Sequence, residues 1–387
     1  MKTIAVVTTS RADYGMLLPV LREIKADPEL ELQLLVSGMH LSPIFDMTVR
    51  LIEANGFEIA ERVEMLLSSD TPEGVSKSIG LGIIGFAQVF ARTRPDILVV
   101  LGDRFEMYAA AVAALPFNIP VAHIHGGDVT QGAIDDALRH SMTKLSHLHF
   151  VATETYARRV AQLGEEPWRI KVCGETSLDN LRTIKFLTKE ELKSQYGIPV
   201  EPKPLLVTYH PVTLEYAQAE RQINELLAAL QKFSLPVIFT MPNADMGNNI
   251  IRQKIAEHKQ SNFNVWCLEN MGTQGYFSLM HLAAAMIGNS SSGIVEAPSF
   301  KLPVVNIGSR QKGRIRAANV IDVGYDRNEI ISGIEKAISE EFRNTLQDLV
   351  SPFGDGHAAD RIVEGLRSVQ INSSLLKKRF IDLKTTK

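Results

Sequence analysis

A chain of 387 residues, 45% of them hydrophobic and 22% charged, carries enough apolar material for two domains of ordinary size. Its formal net charge of -3 removes the electrostatic footprint of a nucleic-acid or anionic-membrane partner, so an anionic ligand has to be held by local donors. Two cysteines, Cys173 and Cys267, are too few for a disulfide framework or a cysteine-rich zinc cluster.

The N-terminus "MKTIAVVTTS" enters a β-like run at once, without the apolar core and small-residue cleavage site of a signal peptide. No stretch reads as the roughly 20 apolar residues of a membrane span, so a cytoplasmic protein is expected. From that first run, "TIAVVTTS", short β-rich segments alternate with amphipathic helical lengths. They continue as "LQLLVSG", "DILVVLG", "PVAHIH" and "LHFVAT", then "LLVTYH", "PVIFT", "NVWCL", "AAMIGN" and "PVVNI". Apolar strands separated by helices predict parallel sheets covered on both faces. Residues 171–204 interrupt the rhythm with polar residues and three prolines, and are read as the connection between two α/β domains. The expected domains are residues 1–175 and 176–370, followed by a polar tail or loose terminal helix over 371–387.

In open α/β sheets, ligands bind beyond the carboxyl ends of the strands. The strand ends here carry "TTSRADYG", "GDRFE" and "HGGD" in the first half, and "HPVT", "MPNAD" and "GNSSSG" in the second. "GLGIIG" (Gly80 to Gly85) matches a dinucleotide pattern, but it sits inside a helical stretch with no strand before it. No nicotinamide cofactor is expected from it.

Ser290, Ser291, Ser292 and Gly293 of "GNSSSG" follow a strand and open a helix, where backbone N–H groups and hydroxyls can face a phosphate. An ordinary serine cap is the plainer reading of the same residues. Glu296, placed on the first turn of that helix, can accept from a ribose diol or simply complement the helix dipole. Arg11 in the first β-to-α loop and Arg310 in "SRQKGR" are candidate phosphate clamps. Asp103 and Arg104 lie at the end of a strongly apolar strand, where a partly desolvated acid is a candidate proton carrier or a helix cap. "HIHGGDVTQGAIDDALRH" (123–140) concentrates His123, His125, Asp135, Asp136, Arg139 and His140 beyond another strand. Asp135–Arg139 and Asp136–His140 are also ordinary i, i+4 surface pairs. His123 and His125 project from one side of a strand, yet the spacing supplies no convincing further metal ligands, so no metal is expected.

Taken in order from about residue 3 to about residue 365, "TTSRADYG", "GDRFE", "HIHGGDVTQGAIDDALRHSMTKLSH", "HPVT", "PNAD", "GNSSSGIVE" and "GSRQKGR" resemble the hydrolysing UDP-N-acetylglucosamine 2-epimerases of sialic and nonulosonic acid biosynthesis. The resemblance implies a glycosyltransferase-B type fold, two Rossmann-like domains with a nucleotide-sugar cleft between them. It implies conversion of UDP-N-acetylglucosamine and water to N-acetylmannosamine and UDP, without a cofactor. Asp103, His125, Asp135, Asp136 and His210 are then the expected catalytic set. Arg11, Arg104, Ser290, Ser291, Ser292, Gly293, Glu296 and Arg310 are expected to hold the UDP moiety. The family also implies a homodimer or homotetramer. One departure stands out: where many relatives carry a glutamate in an H-x-E-G-G pattern, this chain has His125. Two alternatives remain open: a hydrolysing epimerase of UDP- or GDP-linked N,N'-diacetylbacillosamine in legionaminic acid biosynthesis, and a non-hydrolysing UDP-N-acetylglucosamine 2-epimerase.

Overall fold

The computed structural model describes every residue except 46, 70, 131–133, 242–247, 270 and 383–387. The "PNAD" tip and residues 131–133 of the histidine-rich stretch therefore lie outside the described residues. The chain divides into two compact units, residues 1–182 with 353–387, and residues 183–352.

The first unit contains the strands β1 (Lys2–Thr8), β2 (Leu30–Ser37), β3 (Ile59–Val63), β4 (Ile97–Leu101), β5 (Val121–Ile124), β6 (Leu148–Val151) and β7 (Ile170–Val172). All pair in parallel, in the order β3-β2-β1-β4-β5-β6-β7. The second unit contains β8 (Leu205–Thr208), β9 (Val237–Thr240), β10 (Val265–Leu268), β11 (Ala285–Gly288), β12 (Val304–Ile307) and β13 (Val320–Val323). Its parallel order, β10-β9-β8-β11-β12-β13, repeats the arrangement of the first six strands. Both units are doubly wound and Rossmann-like. Each sheet reverses direction between its first and fourth strands, β1/β4 and β8/β11, where such sheets open a crevice for ligand.

Continuous apolar runs form the central strands because helices bury them on both faces: β4 and β5 are wholly buried. The helix Arg11–Ala26 begins at Ser10, whose hydroxyl accepts from Asp13 N–H. Asp13, 2% exposed, accepts from Thr8 Oγ1 (2.5 Å), Thr9 N (3.0 Å), Thr9 Oγ1 (2.8 Å) and Ser10 Oγ (2.7 Å). One carboxylate thus fixes the whole turn after β1.

"GLGIIG" lies inside the helix Pro72–Thr93, where Gly82 and Gly85 admit Met65 and Val63 against the helix backbone. Against the expectation of no membrane-length apolar stretch, this helix is long and apolar enough to cross a membrane by length and composition. Phe86, Val89 and Phe90 are buried in the first unit's core, while Leu81 and Ile84 are exposed.

The chain's return at Phe353 corrects the expected boundaries. Residues 353–370, assigned from the sequence to the second domain, pack on the first. Ala358, Ala359, Ile362, Val363 and Leu366 form one buried face of the helix Ala358–Ser368 and join the first unit's core. Complete burial of aliphatic side chains such as Ile362 and Leu366 is worth about 1.5–3 kcal/mol each, enough to decide which core the segment joins. His357 gives that helix no side-chain cap, and Asp179 caps it instead, accepting from Ala358 N (2.9 Å) and Ala359 N (2.6 Å). The expected loose tail also contributes: Leu375 is buried, and Lys378 pairs with Glu165 at 2.8 Å.

Candidate functional site

In the first unit, the chemistry gathers beyond β4 and β5. Gly102, with φ +74°, turns the chain sharply after β4 and brings Asp103 to the sheet end. The guanidinium of Arg139 reaches Asp103 from the helix Ile134–Leu145; its side chain is only 4% exposed. Arg139 Nη2 donates to Asp103 Oδ2 and to Thr130 Oγ1 (3.0 Å), and Nη1 lies 3.6 Å from Asp136 Oδ1. Asp136 Oδ1 also accepts from Thr130 N (2.7 Å), tying the preceding loop to the helix start. The sequence reading of Asp135–Arg139 as a surface pair is corrected, because Arg139 turns inward to Asp103.

Asp135 is raised above the usual carboxylate range by burial and by the Asp103 charge, with Arg139 and Arg104 opposing. It is the carboxyl in this group best suited to hold a proton. Arg104 is committed to the wholly buried Glu106, donating from Nε (3.1 Å) and Nη2 (2.7 Å). This pairing leaves Arg104 a support for the β4 turn more than a free phosphate clamp. Arg11, by contrast, stands exposed on the first turn of its helix.

The two histidines of β5 separate in role. His123 is fully buried, donates from Nε2 to Gly102 O (2.8 Å), and has Nδ1 3.3 Å from Thr143 Oγ1. Burial pushes it down to about 3, so it is an uncharged brace beneath Asp103. His125 lies past the strand in a left-handed conformation, φ +65°, which costs a non-glycine residue about 1 kcal/mol or more. Burial also lowers His125, to about 4; Asp128 opposes that shift and Arg139 adds to it. Among the described residues no group of three His, Cys, Asp or Glu is placed to hold a metal ion.

In the second unit the ends of β8 and β11 are locked together. His210 N donates to Asn289 Oδ1 (2.7 Å), and Asn289 Nδ2 donates to His210 O (2.9 Å). Gly288 makes this approach possible: at φ +132°, an added Cβ would lie 2.0 Å from Thr208 O. Gly288→Ala is therefore expected to unfold the second unit or lower its melting temperature sharply, as read by circular dichroism.

Ser290 caps the helix Ser291–Val295, accepting from Ser292 N (3.3 Å). That helix has five residues, so Glu296 sits at its C-terminal cap rather than on a first turn. So short a helix offers an anion little dipole, and the donors that remain are local hydroxyls and N–H groups. Tyr276, which no motif signalled, lies beside Ser292, Thr208 and Ser290, and burial raises its hydroxyl to about 12. Arg310 Nη1 and Gln311 Nε2 both donate to Asn289 O, at 3.1 and 2.8 Å. Their side chains therefore rest on the same turn as the serines. His210 is 7% exposed and pushed down to about 3, chiefly by burial and then by the Arg310 charge. Its Nδ1 is buried without a hydrogen-bond partner among the described residues, a polar atom left for a ligand to satisfy.

The family model described as UDP-N-acetylglucosamine 2-epimerase matches residues 22–367. The chain belongs to the UDP-N-acetylglucosamine 2-epimerase family. It is 39% identical to the GDP/UDP-N,N'-diacetylbacillosamine 2-epimerase (hydrolyzing) of Campylobacter jejuni, over 99% of each chain. It is 36% identical to the UDP-N,N'-diacetylbacillosamine 2-epimerase (hydrolyzing) of Legionella pneumophila, over 97% of this chain and 98% of that one. The crystal structure of UDP-GlcNAc 2-epimerase from Neisseria meningitidis bound to UDP-GlcNAc shares the fold, with a TM-score of 0.82 and 20% identity over 95% of this chain and 99% of that one. The two-unit, glycosyltransferase-B type α/β architecture is thus that of the 2-epimerase family.

Within this family member, the structure brings Asp103, Asp135 and Asp136 together around Arg139 in one unit. It brings His210, Ser290, Ser291, Ser292, Gly293 and Arg310 together around Asn289 in the other. Arg139 and Tyr276 complete the two groups. Carboxylates around a buried guanidinium can exchange protons while one charge is held in place. Hydroxyls, N–H groups and an arginine side chain are suited to a diphosphate.

Proposed function

We propose that this 2-epimerase is hydrolysing and acts on a nucleotide-linked N,N'-diacetylbacillosamine, releasing the free C2-epimerised sugar and the nucleoside diphosphate. The observation that carries the chemistry is the Asp103–Arg139 cluster, with the raised Asp135 beside it. The proton on C2 of such a sugar is barely acidic, so its removal has to be coupled to departure of the diphosphate from C1. In the first step the C2–H pair becomes the C1=C2 bond, the C1–O pair leaves with the diphosphate, and a protein base keeps the proton. In the second step an acid gives a proton to C2 from the opposite face, water bonds its oxygen to C1, and a protein base takes the proton that water loses. Two transfers on two faces require at least two proton carriers, and Asp103, Asp135 and His125 supply them in the first unit. Ser290 to Gly293 and Arg310 in the second unit stabilise the charge gathering on the diphosphate, and Glu296 holds the ribose.

The sugar preference rests on the full-length similarity to the diacetylbacillosamine enzymes of Campylobacter and Legionella. It replaces UDP-N-acetylglucosamine, the substrate expected first from sequence motifs. NMR in D2O with UDP- and GDP-diacetylbacillosamine, and separately with UDP-N-acetylglucosamine, tests both points. Turnover of the bacillosamine nucleotides to a free sugar deuterated at C2, with little from UDP-N-acetylglucosamine, is the expected result. An intact epimerised nucleotide sugar would remove the hydrolytic reading. Faster turnover of UDP-N-acetylglucosamine would restore the other substrate.

A further inference from the structure

His125 does not stand alone in its strained position. Its Nε2 lies 3.0 Å from Glu175 Oε1, and the two side chains are only 13% and 12% exposed. Thr176 Oγ1 lies 3.4 Å from the same nitrogen. Glu175 is delivered by the turn after β7, where Gly174 takes φ +98°. That turn is pinned by the returning chain, since Glu175 N donates to Phe353 O (2.7 Å). Gly127, at φ +82°, lets the loop after His125 close on the backbone of Tyr156, where a Cβ would meet Tyr156 O at 2.4 Å. The backbone is thus held on both sides so that one imidazole meets one carboxylate.

Building on the reading above, we propose that Glu175 is a positioning residue for His125: its carboxylate accepts from Nε2–H and fixes the tautomer in which Nδ1 exchanges a proton with C2 of the sugar. A ring held uncharged by burial has one protonated nitrogen, and the carboxylate decides which one it is. When Nδ1 takes the C2 proton, the C2–H pair forms the C1=C2 bond and the C1–O pair leaves with the diphosphate. The ring then carries a positive charge, which the adjacent carboxylate balances until the proton is given up.

Glu175→Gln keeps an acceptor for Nε2–H and removes the charge, whereas Glu175→Leu removes both. With the nucleotide sugar that the parent turns over, the Gln variant is expected to lose about tenfold in kcat and the Leu variant up to about a hundredfold. KM is expected to stay within about threefold in both. Nitrogen-15 ring shifts of His125 are expected to report the Nε2–H tautomer in the parent and the Gln variant, and mixed tautomers in the Leu variant. Near-parental kcat in the Gln variant would overturn the proposal, as would an Nδ1–H ring in the parent. Should the Leu variant fail to fold, the Gln variant and the parental ring shifts still decide. Parental turnover decides the functional reading, while the variant-to-parent ratio and the substrate-free ring shifts decide this one, so the two failures are distinguishable.

Discussion

Asp103→Asn is expected to lower kcat about a thousandfold while leaving the affinity for free UDP within about threefold. The substitution keeps the shape of the side chain and its contact with Arg139, so what it removes is the negative charge and the basic lone pairs at the end of β4. UDP affinity is the built-in control, because the residues proposed to hold the nucleotide, the serine turn, Arg310 and Glu296, belong to the other unit. Initial rates of nucleoside diphosphate release, with calorimetric titration of UDP, measure both quantities. Asp136→Asn is expected to cost less, since Asp136 braces Thr130 N in addition to facing Arg139. A rate near the parent's for Asp103→Asn would remove the proton-transfer role from this cluster.

The second large effect concerns stability and lies away from the candidate site. Glu165, with no side-chain exposure, accepts from Lys144 Nζ (2.6 Å), pairs with Lys378 Nζ (2.8 Å), and meets His149 Nε2 at 2.9 Å. Burial alone would raise its carboxyl, but hydrogen bonds from His149, Lys144 and Lys378 outweigh this and hold it at about 2. A carboxyl depressed in the folded state contributes stability above its unfolded value of 4.5, lost as pH falls from there towards about 2. His149, lowered chiefly by burial, acts in the same direction, because the unfolded chain gains its proton first. Glu165→Gln leaves two lysines beside an uncharged partner and is expected to cost about 3 kcal/mol. That corresponds to a fall in melting temperature on the order of 10 °C at neutral pH. Melting curves from pH 7 to pH 3 should show the parent converging on the variant as acid removes the same interaction. Parallel curves at all pH values would count against this account.

Much of the framework was legible in the sequence, and the misses share a cause. Ten strands announced themselves as β-branched runs because they lie within sheets buried on both faces, or, for β10, at an edge with an apolar run. The three unread strands, β3 "IAERV", β7 "IKV" and β13 "VIDV", are edge strands whose polar residues blur the pattern. Strand-end residues were readable because doubly wound sheets place their ligands there. What local spacing could not supply was direction. Asp135 and Arg139 have the spacing of a surface pair, and only Asp103, far away in sequence, turns the guanidinium inward. His125 and Glu175 meet across β6 and β7, while Tyr276 carries no motif at all. The departure of the chain back to the first core at Phe353 is likewise invisible in composition, since an amphipathic helix does not state which core it will join.

That return makes the order of synthesis differ from the order of completion. Residues 183–352 are contiguous and have every strand of their sheet once Pro352 has left the ribosome. The first unit is translated earlier but still lacks the helix Ala358–Ser368, whose first two N–H groups donate to Asp179, and the Lys378 partner of Glu165. The part of the chain that emerges first is therefore the last to be finished. Lesions between Phe353 and Lys378 fall on the stability of the unit that carries Asp103 and His125.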